Sequence, residues 1–155
     1  MLPGQAFMEL QWVLKKFDDL SPSELYNILR LRSEVFVVEQ NCVFLDMDNK
    51  DQECFHLMGS HDNELVAYVR IVPPGLAYEE MSIGRVVSSP RYRGSGAGRQ
   101  LMIKAIATAF ELFGKQPIRI GAQLYLKNFY SSLGFEPQGD IYIEDGIPHV
   151  IMLKH

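Results

Sequence analysis

Arg93-Gly94-Ser95-Gly96-Ala97-Gly98 lies between the apolar run Ile83-Gly84-Arg85-Val86-Val87 and the helical Leu101-Met102-Ile103-Lys104-Ala105-Ile106-Ala107, and reads as strand, glycine loop and helix in immediate succession. Glycines at 94, 96 and 98 free the backbone from Cβ interference, so its N–H groups can turn outward together. A helix beginning at the same point adds the partial positive charge of its N-terminus. The combination suits a phosphate, and the segments around it must say which one.

Downstream, Leu101, Met102, Ala105, Ile106, Ala109, Phe110 and Phe113 make a broad apolar stripe that ends at Gly114, which predicts a helix covering a sheet face. Residues 117–122 predict a short strand, and 124–133 a further helix stopped by Gly134. Residues 141–143 and 149–153 predict a closing strand pair around an acidic turn over 144–148. Upstream, 6–17 predict a first strand. Ser21-Pro22-Ser23-Glu24 then opens a helix whose Leu25, Ile28, Leu29, Arg32, Val35 and Phe36 share a face. Residues 54–59 and 64–72 flank the polar turn 60–63 as a hairpin, and 81–88 form the strand that Pro90 ends. Residues 41–53, with Asp46, Asp48 and Asp51, lack periodicity and read as a solvated loop. This order predicts an α/β chain of the α+β kind, with a mixed sheet and helices on both faces.

A chain of 155 residues suits one domain over 1–155 that buries roughly 68–70% of its unfolded surface. A net charge of −4 argues against general binding of nucleic acid or of an acidic membrane, so an anion site has to be local. No apolar run approaches a membrane span and Met1-Leu2-Pro3-Gly4 carries no signal pattern, which makes the expected location cytoplasmic. Cys42 and Cys54 are expected as reduced, inert thiols. The scattered histidines predict no metal site.

Two familiar phosphate folds fit poorly. A dinucleotide-binding domain places its glycine motif after the first strand, whereas here it follows the fourth. A Walker loop needs Lys and Ser or Thr after the last glycine, where this chain has Arg99-Gln100.

Arg93-x-x-Gly96-x-Gly98 on a strand-to-helix turn, followed after one helix and one strand by Tyr130-x-x-x-Gly134-Phe135, resembles the GCN5-related N-acetyltransferases (GNAT). Leu31-Arg32-x-x-Val35-Phe36-x-x-Glu39-Gln40, Asp46-x-Asp48-x-x-Asp51 and Glu144-Asp145-Gly146-Ile147-Pro148-His149 resemble the ElaA-like branch of that family. The resemblance implies a twisted, mostly antiparallel mixed sheet of six to seven strands. It also implies acetyl-CoA as co-substrate, no metal, and transfer of the acyl group to a primary amine on a small molecule or peptide. A homodimer is compatible with it, and a non-catalytic acyl-CoA binding module is the alternative. Gln123 stands where many members carry asparagine.

Carried onto this chain, the family's pyrophosphate loop corresponds to Arg93, Gly94, Ser95, Gly96, Ala97, Gly98 and Arg99, with Arg91 adding charge and Gln123 a further cofactor contact. The backbone groups of Val86 and Val87 are candidates to pair with the pantetheine amides. Tyr130 is the candidate proton donor to the departing thiolate, because a phenol near pKa 10 is neutral at pH 7. His149 and Glu39 are candidate bases. Arg32, Glu144 and Asp145 are assigned to the acceptor side, with an Arg32–Glu39 ion pair at the end of the first helix as the other reading for those two residues.

Overall fold

The structure is a computed structural model that describes residues 8–155. Four strands, β1 (Gln11–Lys16), β2 (Phe55–His61), β3 (Glu64–Val72) and β4 (Ser82–Ser88), form an antiparallel sheet in that order. Three more, β5 (Ile118–Gln123), β6 (Glu136–Glu144) and β7 (Ile147–Lys154), form a second antiparallel sheet in the order β5-β7-β6. A parallel bridge between Met81 and Ile118 joins the two sheets, and the Arg119 N–H donates to the Met81 carbonyl at 3.0 Å. The mixed sheet read from the element order is therefore present, divided at the β4–β5 junction.

Strand β3 reads as a nearly continuous apolar run because both of its faces are covered. On one face Val69 and Ile71, with Leu57 of β2, share a core with Leu101, Met102, Ala105 and Ala109 of helix α2 (Ala97–Phe113). On the other, Tyr68, Met58 and Val87 pack against Ile28, Leu31 and Val35 from helix α1 (Pro22–Arg32) and its extension. Full burial of each such aliphatic side chain contributes roughly 1.5–3 kcal/mol.

Helix α1 starts where its sequence predicts. The Ser21 hydroxyl accepts from the Glu24 N–H at 3.1 Å, and the Glu24 carboxylate accepts from the Ser21 N–H at 2.8 Å, a reciprocal capping box with Pro22 at the first position. The helix does not end at Arg32 but continues as a π-helical turn over Ser33–Glu39. This wider winding carries Glu39 and Gln40 to the gap between the sheets.

Other boundaries shift for local reasons. The first strand begins at Gln11, and Ala6 and Phe7 of its expected span lie outside the described residues. The helix expected over 124–133 is a 3₁₀ turn at Leu124–Leu126 followed by the short helix α3 (Lys127–Ser131). The expected five-residue acidic turn narrows to Asp145-Gly146, with φ of 50° and 75°; left-handed backbone at both positions makes a two-residue hairpin, which lengthens β6 and β7. Among the described residues no helix is long and apolar enough to cross a membrane.

Candidate active site

Beyond the Met81–Ile118 bridge, β4 and β5 share no further ladder pair, and a cavity of about 520 Å³ opens between them. Its walls come from the π-helical turn, β4, the start of α2, β5, α3 and the β6–β7 hairpin. On the β4 side the ladder with β3 is interrupted. Tyr68 pairs with Val87 and Arg70 with Gly84, so Arg85 and Val86 together oppose Val69. Two residues against one is a β-bulge, which bends and twists its strand. Arg85 sits at φ 52°, left-handed backbone that costs a non-glycine residue about 1–3 kcal/mol. Val86 and Val87 both line the cavity, along the edge of β4 that has no strand partner there.

The glycine loop stands at the cavity's end. Gly94 and Gly96 hold φ of 81° and 83°, and Gly96 caps α2 with no side chain satisfying the first turn. Among the described residues the opening N–H groups of this 17-residue helix therefore have no side-chain acceptor. Of the expected cofactor residues, Val86, Val87, Arg93, Gly98 and Gln123 line the cavity. Arg99 instead donates to the Ser132 hydroxyl at 3.1 Å, tying α2 to the end of α3. Arg91 does not reach this cavity: it forms an ion pair with Glu64, beside Tyr92, on a second surface depression.

Tyr130 is 6% exposed and lines the cavity, packed edge-on against Phe129 and Phe135 at 5.2 and 6.0 Å. Among the described residues its hydroxyl has no hydrogen-bond partner, and burial holds the phenol's pKa well above 10. His149 enters from β7. Its Nδ1 lies 2.7 Å from the Ile147 carbonyl, which only accepts, so the proton is assigned to Nδ1 and the Nε2 lone pair is left available. Glu144 Oε2 lies 3.7 Å from that Nε2, and the Tyr142 ring stacks on the imidazole at 5.6 Å. Asp145 lines the same wall, where its carbonyl accepts from the Cys42 thiol at 3.1 Å.

Glu39 also reaches the cavity, but its partner is Arg93, at 2.6 Å, and not Arg32. Gln40, quoted in the Leu31–Gln40 motif but given no role at the site, exchanges two amide hydrogen bonds with Gln123 at 3.2 and 3.3 Å. Nothing in the spacing marked that pair, because its members lie 83 residues apart.

The structure corrects the reading of Arg32 and of the aspartate loop. Arg32 is fully buried, its Nε 2.6 Å from Asp46 and its Nη1 2.8 Å from Asp51. It is thereby withdrawn from the acceptor side. Arg70 of β3 donates to Asp48 and, at 3.0 Å, to Asp51, and Arg85 joins from β4. Three arginines thus neutralise three aspartates that were expected in solvent. A buried aspartate needs a partner, and the sequence places these arginines on α1, β3 and β4, far from the loop in the chain. Among the described residues no His, Cys, Asp and Glu side chains are grouped to hold a metal ion.

Burial alone would raise the carboxyls of Asp48 and Asp51, but hydrogen bonds and charge from Arg70, Arg32 and Arg85 hold both below the usual range. His56 completes the cluster. Its Nε2–H donates to the Asp51 carbonyl at 2.9 Å and its Nδ1 accepts from the Tyr68 hydroxyl at 2.7 Å. Burial, with the charges of Arg32 and Arg70, holds the imidazole below 6.5 despite Asp51. A folded-state pKa below the unfolded one means the unfolded chain binds more protons, so stability is complete above pH 6.5 and declines as pH falls through the folded value. The two aspartates add a second loss below about pH 4. Urea midpoints measured from pH 8 to pH 3 are expected to follow this two-stage decline, and a midpoint unchanged between pH 7 and pH 5 would refute the His56 contribution. Neither cysteine is bonded, and burial pushes the Cys54 thiol up to about 11, out of reach of ordinary thiol chemistry.

Comparison with known proteins agrees with this architecture. The family model described as an acetyltransferase (GNAT) domain matches residues 18–155. Protein ElaA of Escherichia coli K12 is 43% identical over 147 residues, covering 94% of this chain and 96% of that protein. Its crystal structure superposes with a TM-score of 0.88 at 42% identity, over 95% of this chain and all of the other. The crystal structure of an acyl-CoA N-acyltransferase from Pseudomonas aeruginosa gives a TM-score of 0.90 at 41% identity, with the same coverage. The chain belongs to the GNAT acetyltransferase domain family.

Proposed function

We propose that the protein transfers an acetyl group from acetyl-CoA to a primary amine by direct attack within a ternary complex. The observation that carries this reading is Tyr130, a buried phenol without a hydrogen-bond partner among the described residues, in a cavity bounded by an unpaired strand edge and a helix start that no described side chain caps. Residues 93–99 and the first N–H groups of α2 would hold the pyrophosphate. Arg93 would exchange Glu39 for it, since an exposed ion pair contributes only about 0–1 kcal/mol. The backbone of Val86 and Val87 would pair with the pantetheine amides.

In the transfer, the amine nitrogen bonds to the thioester carbonyl carbon, the carbon–sulfur bond breaks, and the thiolate takes a proton from Tyr130. The amine loses its proton to His149 Nε2, directly or through a water, and Glu144 beside that nitrogen favours a cationic acceptor. Glu39, freed from Arg93, is the second candidate for this role. The loop aspartates, already paired with arginines, contribute nothing to acceptor attraction.

The test is thiol release from acetyl-CoA across a panel of small primary amines and lysine peptides. Amine-dependent release above background is expected. Thermal stabilisation on adding CoA without thiol release for any amine in the panel would replace this reading by a binding module; no stabilisation and no release would remove it altogether.

A further inference from the structure

Arg85 is the residue that makes the β4 bulge, yet its type does not favour the conformation. Its φ of 52° is one glycine adopts without cost, and a glycine stands next to it at position 84 without using that freedom. The side chain supplies what the backbone does not. Arg85 Nε lies 2.8 Å from Asp46 Oδ1, off the hydrogen-bond line, while Nη2 donates to the Asp46 carbonyl at 2.9 Å and lies 3.5 Å from Asp48. Asp46 and Asp48 are themselves held by Arg32 and Arg70. The arrangement thus ties the bulge to α1, to β3 and to the loop carrying the aspartates. Unlike Arg32, Arg85 lines the cavity, and the two residues that follow it are the strand edge offered to the acyl-CoA arm.

We infer that Arg85 is a positioning residue: its guanidinium, anchored on Asp46 and Asp48, holds the β4 bulge so that the backbone of Val86 and Val87 faces the acyl-CoA site. The inference rests on the acyl-CoA reading of the cavity. It gives the buried ionic network a task at the site besides stability.

Arg85→Gly separates the two roles, because glycine keeps the left-handed backbone accessible and removes only the anchor. Arg85→Lys keeps the charge, and with it the balance of the network, but loses the fork. Two readouts are compared with wild type. Amide hydrogen exchange of residues 84–88 is expected to accelerate about tenfold in Arg85→Gly, with β2 unchanged. CoA affinity by calorimetry is expected to weaken about tenfold, the equivalent of one or two backbone hydrogen bonds, and to be partly restored in Arg85→Lys. Unchanged exchange overturns the anchor. Faster exchange with wild-type CoA affinity overturns the positioning role and leaves Arg85 a stabilising residue. If Arg85→Gly does not fold, the same two readouts on Arg85→Lys decide, since any loss there arises at constant charge. A wild-type protein that binds no CoA overturns the acyl-CoA reading, and exchange still decides whether Arg85 holds the bulge.

Discussion

Tyr130→Phe is expected to lower kcat by about 10²–10⁴-fold, the usual contribution of a positioned proton donor. Each tenfold corresponds to about 1.4 kcal/mol of barrier. The affinity for acetyl-CoA is expected to stay near wild type, because the aromatic contacts with Phe129 and Phe135 remain and the pyrophosphate groups are untouched. Stability is expected to change little, since the lost hydroxyl has no hydrogen bond among the described residues. Burial keeps the phenol protonated throughout the neutral and mildly alkaline range, so the wild-type rate is not expected to fall through Tyr130 titration below pH 10. Steady-state kinetics with an accepted amine check the substitution. An unaltered kcat would remove Tyr130 from the reaction.

Arg32→Met is expected to cost about 3–5 kcal/mol, the range for breaking a buried ion pair by removing one partner. Against a total stability of about 5–15 kcal/mol, such a loss brings a domain of this size close to unfolding. The physical reason is the position of the charges. Asp46 and Asp51 stay buried when the guanidinium is gone; Asp51 keeps Arg70, and Asp46 keeps Arg85 only in poor alignment. Arg32→Lys is expected to recover part of the loss, because a single ammonium cannot replace a fork that meets two carboxylates at 2.6 and 2.8 Å. Urea unfolding followed by circular dichroism measures both variants. A loss below about 1 kcal/mol would place Arg32 among ordinary surface charges.

The same two residues mark how far the sequence reaches. The place of Tyr130 beside the cavity was legible because its signal is local and ordered: a glycine motif, one helix and one strand, then Tyr130-x-x-x-Gly134-Phe135. Arg32 was misassigned because charge type says nothing about what a side chain meets across the fold. Its partners lie 14 and 19 residues away, in a loop without periodicity. The pairing of Glu39 with Arg93 and of Gln40 with Gln123 escaped for the same reason.

Elements whose cause is local were readable from the chain itself: the Ser21 cap, the helix ended by Gly114, the hairpin around 60–63 and the strand–loop–helix at 83–107. So was the family, whose spaced motifs survive as residues in order. Tertiary structure alone decided that β4 and β5 part beyond Met81 and Ile118, that α1 unwinds into a π turn reaching the cavity, and that three aspartates, two of them buried, pair with three arginines. Periodicity and capping act within a few residues. The parting of two strands and the pairing of buried charges depend on segments that only folding brings together.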